Sequence, residues 1–402
     1  MLRVLSRLSL VLLGSLAIAF ALTSVFPPGG HGDFTLRMNE LACVRQRVNP
    51  YAVWNCDVSL KPFYPNTWKG EPPEGCTEVV NAYAPWEYVY MYPLSVLPES
   101  CAWFSYCVMM FVACSFLVWF GLRTGSSLSV DGSVRFLVMS VPALAISYLL
   151  WSNWSVGNFM PFVLAATALM IVCLNRGRDV WAGVFWALAM VKPQIAILLS
   201  VPMVFWGKWR TCFVAAGVCL ILTFVMSWVL KTPVVDLLVQ GPAANTSFFF
   251  GCGTWPMFLC GHFGSVNVDI VIAAFLGGVV CFAMTWIVRE EKDWTVRLFP
   301  AALCSCCWTY TQAYSHAMAY FFVLVLIMKL ATRPTSRLLW CLLALALLIV
   351  PRLYLAWHGL FAYFGWAFPL SDYTHRCLDS LNSTMTLGLG CVLCLELRRR
   401  RR

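Results

Sequence analysis

A lone carboxylate, Asp33, stands just beyond the first hydrophobic segment, in Gly30-His31-Gly32-Asp33-Phe34. A carboxylate held where an apolar segment meets water can take a proton from a hydroxyl, provided it is desolvated or fixed against that hydroxyl. The same residue has a plainer use, because Asp ahead of the amphipathic stretch 34–47 is a good helix cap. Lys192 lies between two short apolar segments, in Lys192-Pro193-Gln194. An ammonium among apolar helices is costly and is therefore paired or functional. Pro193 breaks the helix there and frees backbone groups to line a polar cavity. These residue types suit a phosphate; the competing reading is a lysine that snorkels to the outer head groups. Arg352 is either a second phosphate contact or another snorkelling side chain. His316 follows Gln312 and Tyr314 at the end of a short apolar segment, where it is either a chemical group or a packed imidazole. Asn153 and Asn158, with Ser155 and Gly157 between them, form a polar turn that caps a loop or contacts a ligand.

The elements that position these residues are apolar. Of 402 residues, 60% are hydrophobic and 11% charged, too little charge to cover a water-soluble chain of this length. Runs long enough to cross an apolar layer of about 30 Å recur along the sequence. Twelve segments fit, at 4–26, 101–122, 136–152, 157–175, 179–191, 194–207, 211–230, 267–288, 298–313, 316–331, 338–357 and 382–397. The expected fold is an all-α polytopic membrane protein of about 12 transmembrane helices. It is one domain over 1–402, with an extracytoplasmic first loop at 28–98 and a basic tail at 398–402.

The net charge of +10 does not point to nucleic acid. Nineteen of the 28 Lys and Arg fall on one side of this segment pattern, among them Arg3, Arg7, Arg176, Arg178, Lys208, Arg210 and the run 398–402. That is the positive-inside distribution, and it places both termini in the cytoplasm. The basic tail is a topology anchor on anionic head groups, and no basic-aromatic module accompanies it. The N-terminal segment has the flanks of a signal peptide. However, its apolar run from Leu8 to Phe26 is long, and Pro27-Pro28-Gly29-Gly30 follows in place of a cleavage site, so it reads as a retained helix. The nineteen cysteines are scattered through apolar segments without paired C-x-x-C spacing. No metal site is expected from them, and disulfides are plausible only in the outer loops, at Cys43, Cys56, Cys76 and Cys101 or at Cys252 and Cys260.

Two stretches stand apart. Segments 179–191 and 194–207 lie between Arg176/Arg178 and Lys208/Arg210, so the chain must turn back at Lys192. Thirteen helical residues rise only about 20 Å, which sets that turn at or inside the outer membrane boundary. The second, 84–98, is aromatic and punctuated by proline, as an element lying at the interface would be.

Taken in order, several pieces resemble glycosyltransferase family 87, polytopic enzymes of the GT-C superfamily that include mannosyl- and arabinosyltransferases. They are Asp33-Phe34 after the first helix, Val48-Asn49-Pro50-Tyr51, and the run Tyr83-Ala84-Pro85 to Tyr92-Pro93-Leu94-Ser95-Val96-Leu97-Pro98. Gly157-Asn158, Arg176-Gly177-Arg178-Asp179 to Gly183, Lys192-Pro193-Gln194 and Lys208-Trp209-Arg210 complete the set. The likeness covers about 1–210, with His316 more loosely, and from 338 onward only hydrophobicity remains. It implies a polyprenyl-phosphate sugar as donor, a lipid or glycan as acceptor, inversion at the anomeric carbon, and no cofactor or metal. Asp33 and His316 would be catalytic, Lys192, Gln194 and Arg352 would hold the donor phosphate, and Asn158 and Tyr51 would contact substrate. The chain departs from the family pattern in the Cys-bearing insertion at 55–80 and at Trp154-Ser155-Val156, where a glutamine is expected beside the glycine. The resemblance points to a bacterial cytoplasmic membrane, where the sequons at Asn153, Asn245 and Asn382 have no meaning. A secondary transporter or lipid flippase would also use broken helices and an intramembrane lysine. Against it stand the long first loop and the lack of an internal repeat. A non-catalytic membrane scaffold would leave Asp33 and Lys192 without a purpose.

Overall fold

Residues 32–51, 84–125, 157–239 and 266–308 are described by the computed structural model, with short helical pieces between 318 and 326 and between 387 and 399. Every regular element among them is helical. In chain order these are α1 (Gly32–Arg45), α2 (Pro85–Ser95), α3 (Glu99–Gly125), α4 (Met160–Asn175) and α5 (Asp179–Ala189). There follow α6 (Pro193–Ala196), a 3-10 turn (Ile197–Leu199), α7 (Ser200–Phe205), α8 (Trp209–Leu230), α9 (Val266–Ile287) and α10 (Trp294–Trp308).

Two described stretches, Ser100–Gly121 in α3 and Trp209–Leu230 in α8, are long and apolar enough to cross a membrane; α4 and α5 are apolar but shorter. The all-helical class agrees with the sequence, but the expected twelve spans are not confirmed. Segments 4–26, 136–152 and 338–357 lie outside the described residues, and 316–331 and 382–397 are described only in pieces. Hydroxyls inside the apolar helices are satisfied locally. Thr167, Thr223 and Thr285 donate to the carbonyls of Val163, Cys219 and Cys281, one turn back, each at 2.8 Å.

The helix ends follow from the sequence. At Arg176-Gly177-Arg178 the Arg178 N–H donates to Cys173 O and the Gly177 N–H to Leu174 O, with Gly177 at φ +68. This glycine closure satisfies carbonyls that a helix end leaves open. Gly207 closes α7 in the same way at φ +66, with Lys208 donating to Met203 O. Both turns fall where clustered basic residues predict cytoplasmic turns.

The chain divides into two units. The first (1–120, 147–193, 209–248) holds α1, α2, most of α3, α4, α5 and α8. Its helix α4 is buried on nearly every side, from Met160 to Leu174, as expected of a helix apolar all round. Helices α5 and α8 approach closely at Gly183, where a Cβ would lie 2.7 Å from both Thr211 O and the Val214 Cβ. The Thr211 hydroxyl donates to Asp179 O at 3.1 Å and holds the start of α5 against α8. Gly183→Ala must push the two backbones apart and should cost about 1–3 kcal/mol, read as a lower thermal midpoint in detergent. An unchanged midpoint would mean that this close approach relaxes freely.

The second unit (121–146, 194–208, 249–402) contains most of α6, the 3-10 turn, α7, α9 and α10. A cation–indole cluster joins its loops. The Arg297 guanidinium stands 4.7 Å from the Trp206 ring and 4.8 Å from the Trp294 ring, and its Nε donates to Glu291 O at 2.6 Å. Lys208 lies 5.8 Å from the Trp294 ring. Such stacking adds about 0.5–1 kcal/mol per pair at exposed sites.

Candidate functional site

Asp33 occupies the first turn of α1, which begins at Gly32. The alternative sequence reading made Asp33 the cap of a helix starting at 34; the helix instead starts ahead of it. Its neighbour fixes where this turn sits. Phe34 is buried, its ring 5.2 Å from Trp103 and 5.1 Å from Tyr106. Tyr106 in turn packs 5.1 Å from Phe159 and donates its hydroxyl to Asn158 O at 3.0 Å. The Asn158 carboxamide oxygen accepts the Met160 N–H at 3.0 Å, which starts α4. Gly157, at φ +78, lies directly on α1. A Cβ there would be 2.5 Å from Phe34 Cβ and 2.7 Å from Phe34 N. No side chain fits between the 157–158 turn and the peptide that links Asp33 to Phe34.

Helices α1 and α2 run side by side in the same direction. At their ends Arg45 donates to Ser95 O at 2.7 Å. Two turns back, Arg37 and Glu40 on α1 and Glu87 on α2 all lie within electrostatic reach of Tyr88 on α2 and of Tyr51. All five side chains are buried, and Arg37 pairs with Glu40. The rings of Tyr51 and Tyr88 are 6.1 Å apart. Burial first, then the Glu40 carboxylate, pushes both tyrosine hydroxyls well above the usual phenol range. They therefore stay protonated. Burial, helped by Glu40, also pushes the Cys43 thiol up to about 12, which makes it inert as a nucleophile.

The start of α2 reaches the break between α5 and α6. The Trp86 indole donates to Met190 O at 2.8 Å. Two residues on, Lys192 is 1% exposed. Its backbone N–H closes the end of α5 on Ala189 O at 3.2 Å, and Pro193 opens α6. The sequence anticipated a helix break at Lys192-Pro193-Gln194.

One end of the first unit thus gathers the Asp33 turn, the Gly157-Asn158 turn and the Lys192 break, through the Gly157–Phe34 approach and the Trp86–Met190 hydrogen bond. Tyr51 is 0% exposed and belongs to the buried cluster beneath them. Gln194, half-buried, falls in the second unit. His316 and Arg352 lie outside the described residues. The helical residues that follow His316, from Met318 to Leu326, are buried where described. Arg37, Glu40, Glu87 and Tyr88 do not stand out in the sequence. A signal existed for Glu87, the one acid in the aromatic stretch 84–98. Arg37 and Glu40 gave none, since paired charges on a loop helix normally face water. Among the described residues no group of three or more His, Cys, Asp or Glu could hold a metal ion.

The family model for glycosyltransferase family 87 matches residues 81–311. Comparison with curated proteins and with solved structures found no match. The matched stretch contains α2 to α10, with Asn158, Lys192 and Gln194. Asp33 and Tyr51 precede it, and His316 and Arg352 follow it. It extends well beyond 210, where the likeness of individual motifs becomes loose. A transporter or flippase reading has no comparable support. With more than half its length matched and an all-helical body with spans long enough for a membrane, the chain belongs to glycosyltransferase family 87.

Proposed function

We propose that this glycosyltransferase is a single-domain, polytopic GT-C enzyme of a bacterial cytoplasmic membrane, with both termini cytoplasmic. It moves a sugar, mannose in the first instance, from a polyprenyl-phosphate donor to a lipid or glycan acceptor on the extracytoplasmic face. The observation that carries this reading is the gathering of the Asp33 turn, the 157–158 turn and the buried Lys192 at one end of the first unit.

In the proposed reaction the Asp33 carboxylate takes the proton of an acceptor hydroxyl. The oxygen attacks the anomeric carbon as the bond from that carbon to the phosphate oxygen breaks. Direct displacement inverts the configuration, so a β-linked donor gives an α-linked product. The polyprenyl phosphate leaves with one more negative charge on its bridging oxygen. Lys192 neutralises that growing charge from a site withdrawn from water, where a fixed cation is most effective. Gln194 and Arg352 contribute to holding the phosphate, and His316 assists at the phosphate or the acceptor. Asn158 faces substrate from the turn it caps, and Tyr51 supports the site from beneath. Lys192 supplies the charge neutralisation, so the proposal includes no metal or cofactor.

The test is sugar transfer in membranes containing the protein, with radiolabelled polyprenyl-phosphate mannose and then a panel of other polyprenyl-phosphate sugars. Label appearing in a lipid or glycan product supports the reading. No transfer from any donor, with lipid movement across the bilayer instead, overturns it. A sharper test lies at Gly157. Gly157→Ala places a methyl group on the Asp33–Phe34 peptide, and displacing a reacting group by about 1 Å can cost on the order of 100-fold. Transfer should fall at least about tenfold, beyond any loss of folded protein measured in parallel. Full activity would separate the turn from the chemistry.

A further inference from the structure

A helix that lies on a membrane surface carries a charged face toward water, and α2 has none. Its one charged residue, Glu87, is buried. Tyr92 is 40% exposed, and Val96 and Leu97, just past the helix end, are 57% and 39% exposed. The neighbours of α2 give its depth. Helix α8 has 22 residues and is about 33 Å long, close to a hydrocarbon thickness of about 30 Å. Its exposed side chains from Phe213 to Trp228 are all apolar. Helix α2 packs on α8, and Tyr90 lies within electrostatic reach of Cys219, the eleventh of those 22 residues. A second anchor agrees. Thr211 holds the start of α5, and Gly183 meets Val214, so α5 and α8 run side by side in the same direction. Met190, which accepts the Trp86 indole, is level with about residue 222 of α8, some 12 Å short of its end. Phe224, Val225 and Trp228 stand exposed beyond that level. Charge returns only where α1 and α2 end, at exposed Arg45 and Arg47, with Arg45 bonded to Ser95 O.

We propose that α2 is a re-entrant helix: it starts at hydrocarbon depth beside the middle of α8, rises to the head groups near Ser95, and turns Tyr92 and Leu97 toward the acyl chains of the bilayer. The occupant follows from continuity with a span. Phe104, Val108 and Val112 are exposed at helical spacing on α3, which is long and apolar enough to cross a membrane, and Leu97 lies just ahead of that row. An interfacial helix would share the aromatic composition of α2; depth separates the two. The proposal depends on α3 and α8 spanning a membrane and not on the role of Asp33. It also bears on the proposed transfer. The Asp33 turn meets α3 at Trp103 and Tyr106, one to two turns inside the end of that span. A lipid-linked substrate would then meet the site with its tail still in the bilayer.

The experiment replaces Tyr92 with a fluorescent amino acid in the full-length chain and reconstitutes it in phosphatidylcholine vesicles. A second protein carries the probe at Leu97, which keeps the test open if the first fails to fold. A third carries it at exposed Gln46 as a reference for the surface. The vesicles contain a nitroxide either on the lipid head group or midway along an acyl chain, and iodide is added from water. At Tyr92 the acyl-chain nitroxide should quench at least about twofold more than the head-group nitroxide, with iodide nearly without effect, since the hydrocarbon layer excludes ions. At Leu97 the acyl-chain nitroxide should still exceed iodide, and at Gln46 the order should reverse. Quenching at Tyr92 and Leu97 that follows the Gln46 order overturns the proposal and leaves α2 on the surface. Protection of both from every quencher also overturns it, because another part of the chain would then cover this face. Depth is read without any transfer, so the re-entrant helix and the proposed reaction can fail separately.

Discussion

Asp33→Asn should leave a folded protein that transfers no sugar. Asparagine has the same shape and suits the first turn of a helix, so α1 should still start at Gly32. The structural loss is one charge near a helix N-terminus, about 0.3–1 kcal/mol. The chemical loss is larger, because an amide cannot take the acceptor proton, and a positioned base contributes about 100- to 10,000-fold. The wild-type rate should also fall at low pH as the carboxylate protonates, and residual activity in the variant should lack that fall. Initial rates in membranes, with the thermal midpoint of the purified protein, decide the matter. Normal turnover by a well-folded Asp33→Asn protein would end the base assignment.

Lys192→Met should weaken the donor rather than the acceptor. Methionine matches most of the lysine stem and removes only the charge, at a position 1% exposed. A hydrogen bond to a charged group contributes about 1.5–3 kcal/mol, so affinity for polyprenyl phosphate should drop about 10- to 100-fold. Because charge grows on the leaving phosphate, the maximal rate should fall as well as the affinity. Binding of unsugared polyprenyl phosphate isolates the first effect, and saturating donor isolates the second. Unchanged affinity would take Lys192 out of the site.

The parts of this molecule legible in its sequence are those governed by neighbours along the chain. Arg176-Gly177-Arg178 and Gly207-Lys208 announce helix ends because glycine accepts the left-handed backbone. Pro193 after Lys192 announces the break between α5 and α6. Even α2 is half visible. Its prolines suggest an interrupted interfacial element, but Pro85 sits in the first turn and Pro93 near the end, where an 11-residue helix tolerates them. What the sequence hides depends on distant partners. Arg37 and Glu40 look like solvated charges until α2, fifty residues on, is laid beside them. The close approach of Gly157 to Phe34 joins positions more than a hundred residues apart, and no local spacing signals it.

The hydrogen bond from Trp86 to Met190 spans 104 residues of sequence. Ribosomes add about 5–20 residues each second, so roughly 5–20 s of synthesis separate the two partners. During that interval α1 and α2 have left the ribosome with their charges but without the α4–α5 hairpin that completes their surroundings. The α1–α2 pair must therefore wait for the hairpin before this hydrogen bond can form. The chain thus has a birth order, in which α1 and α2 precede the hairpin that Trp86 bonds to.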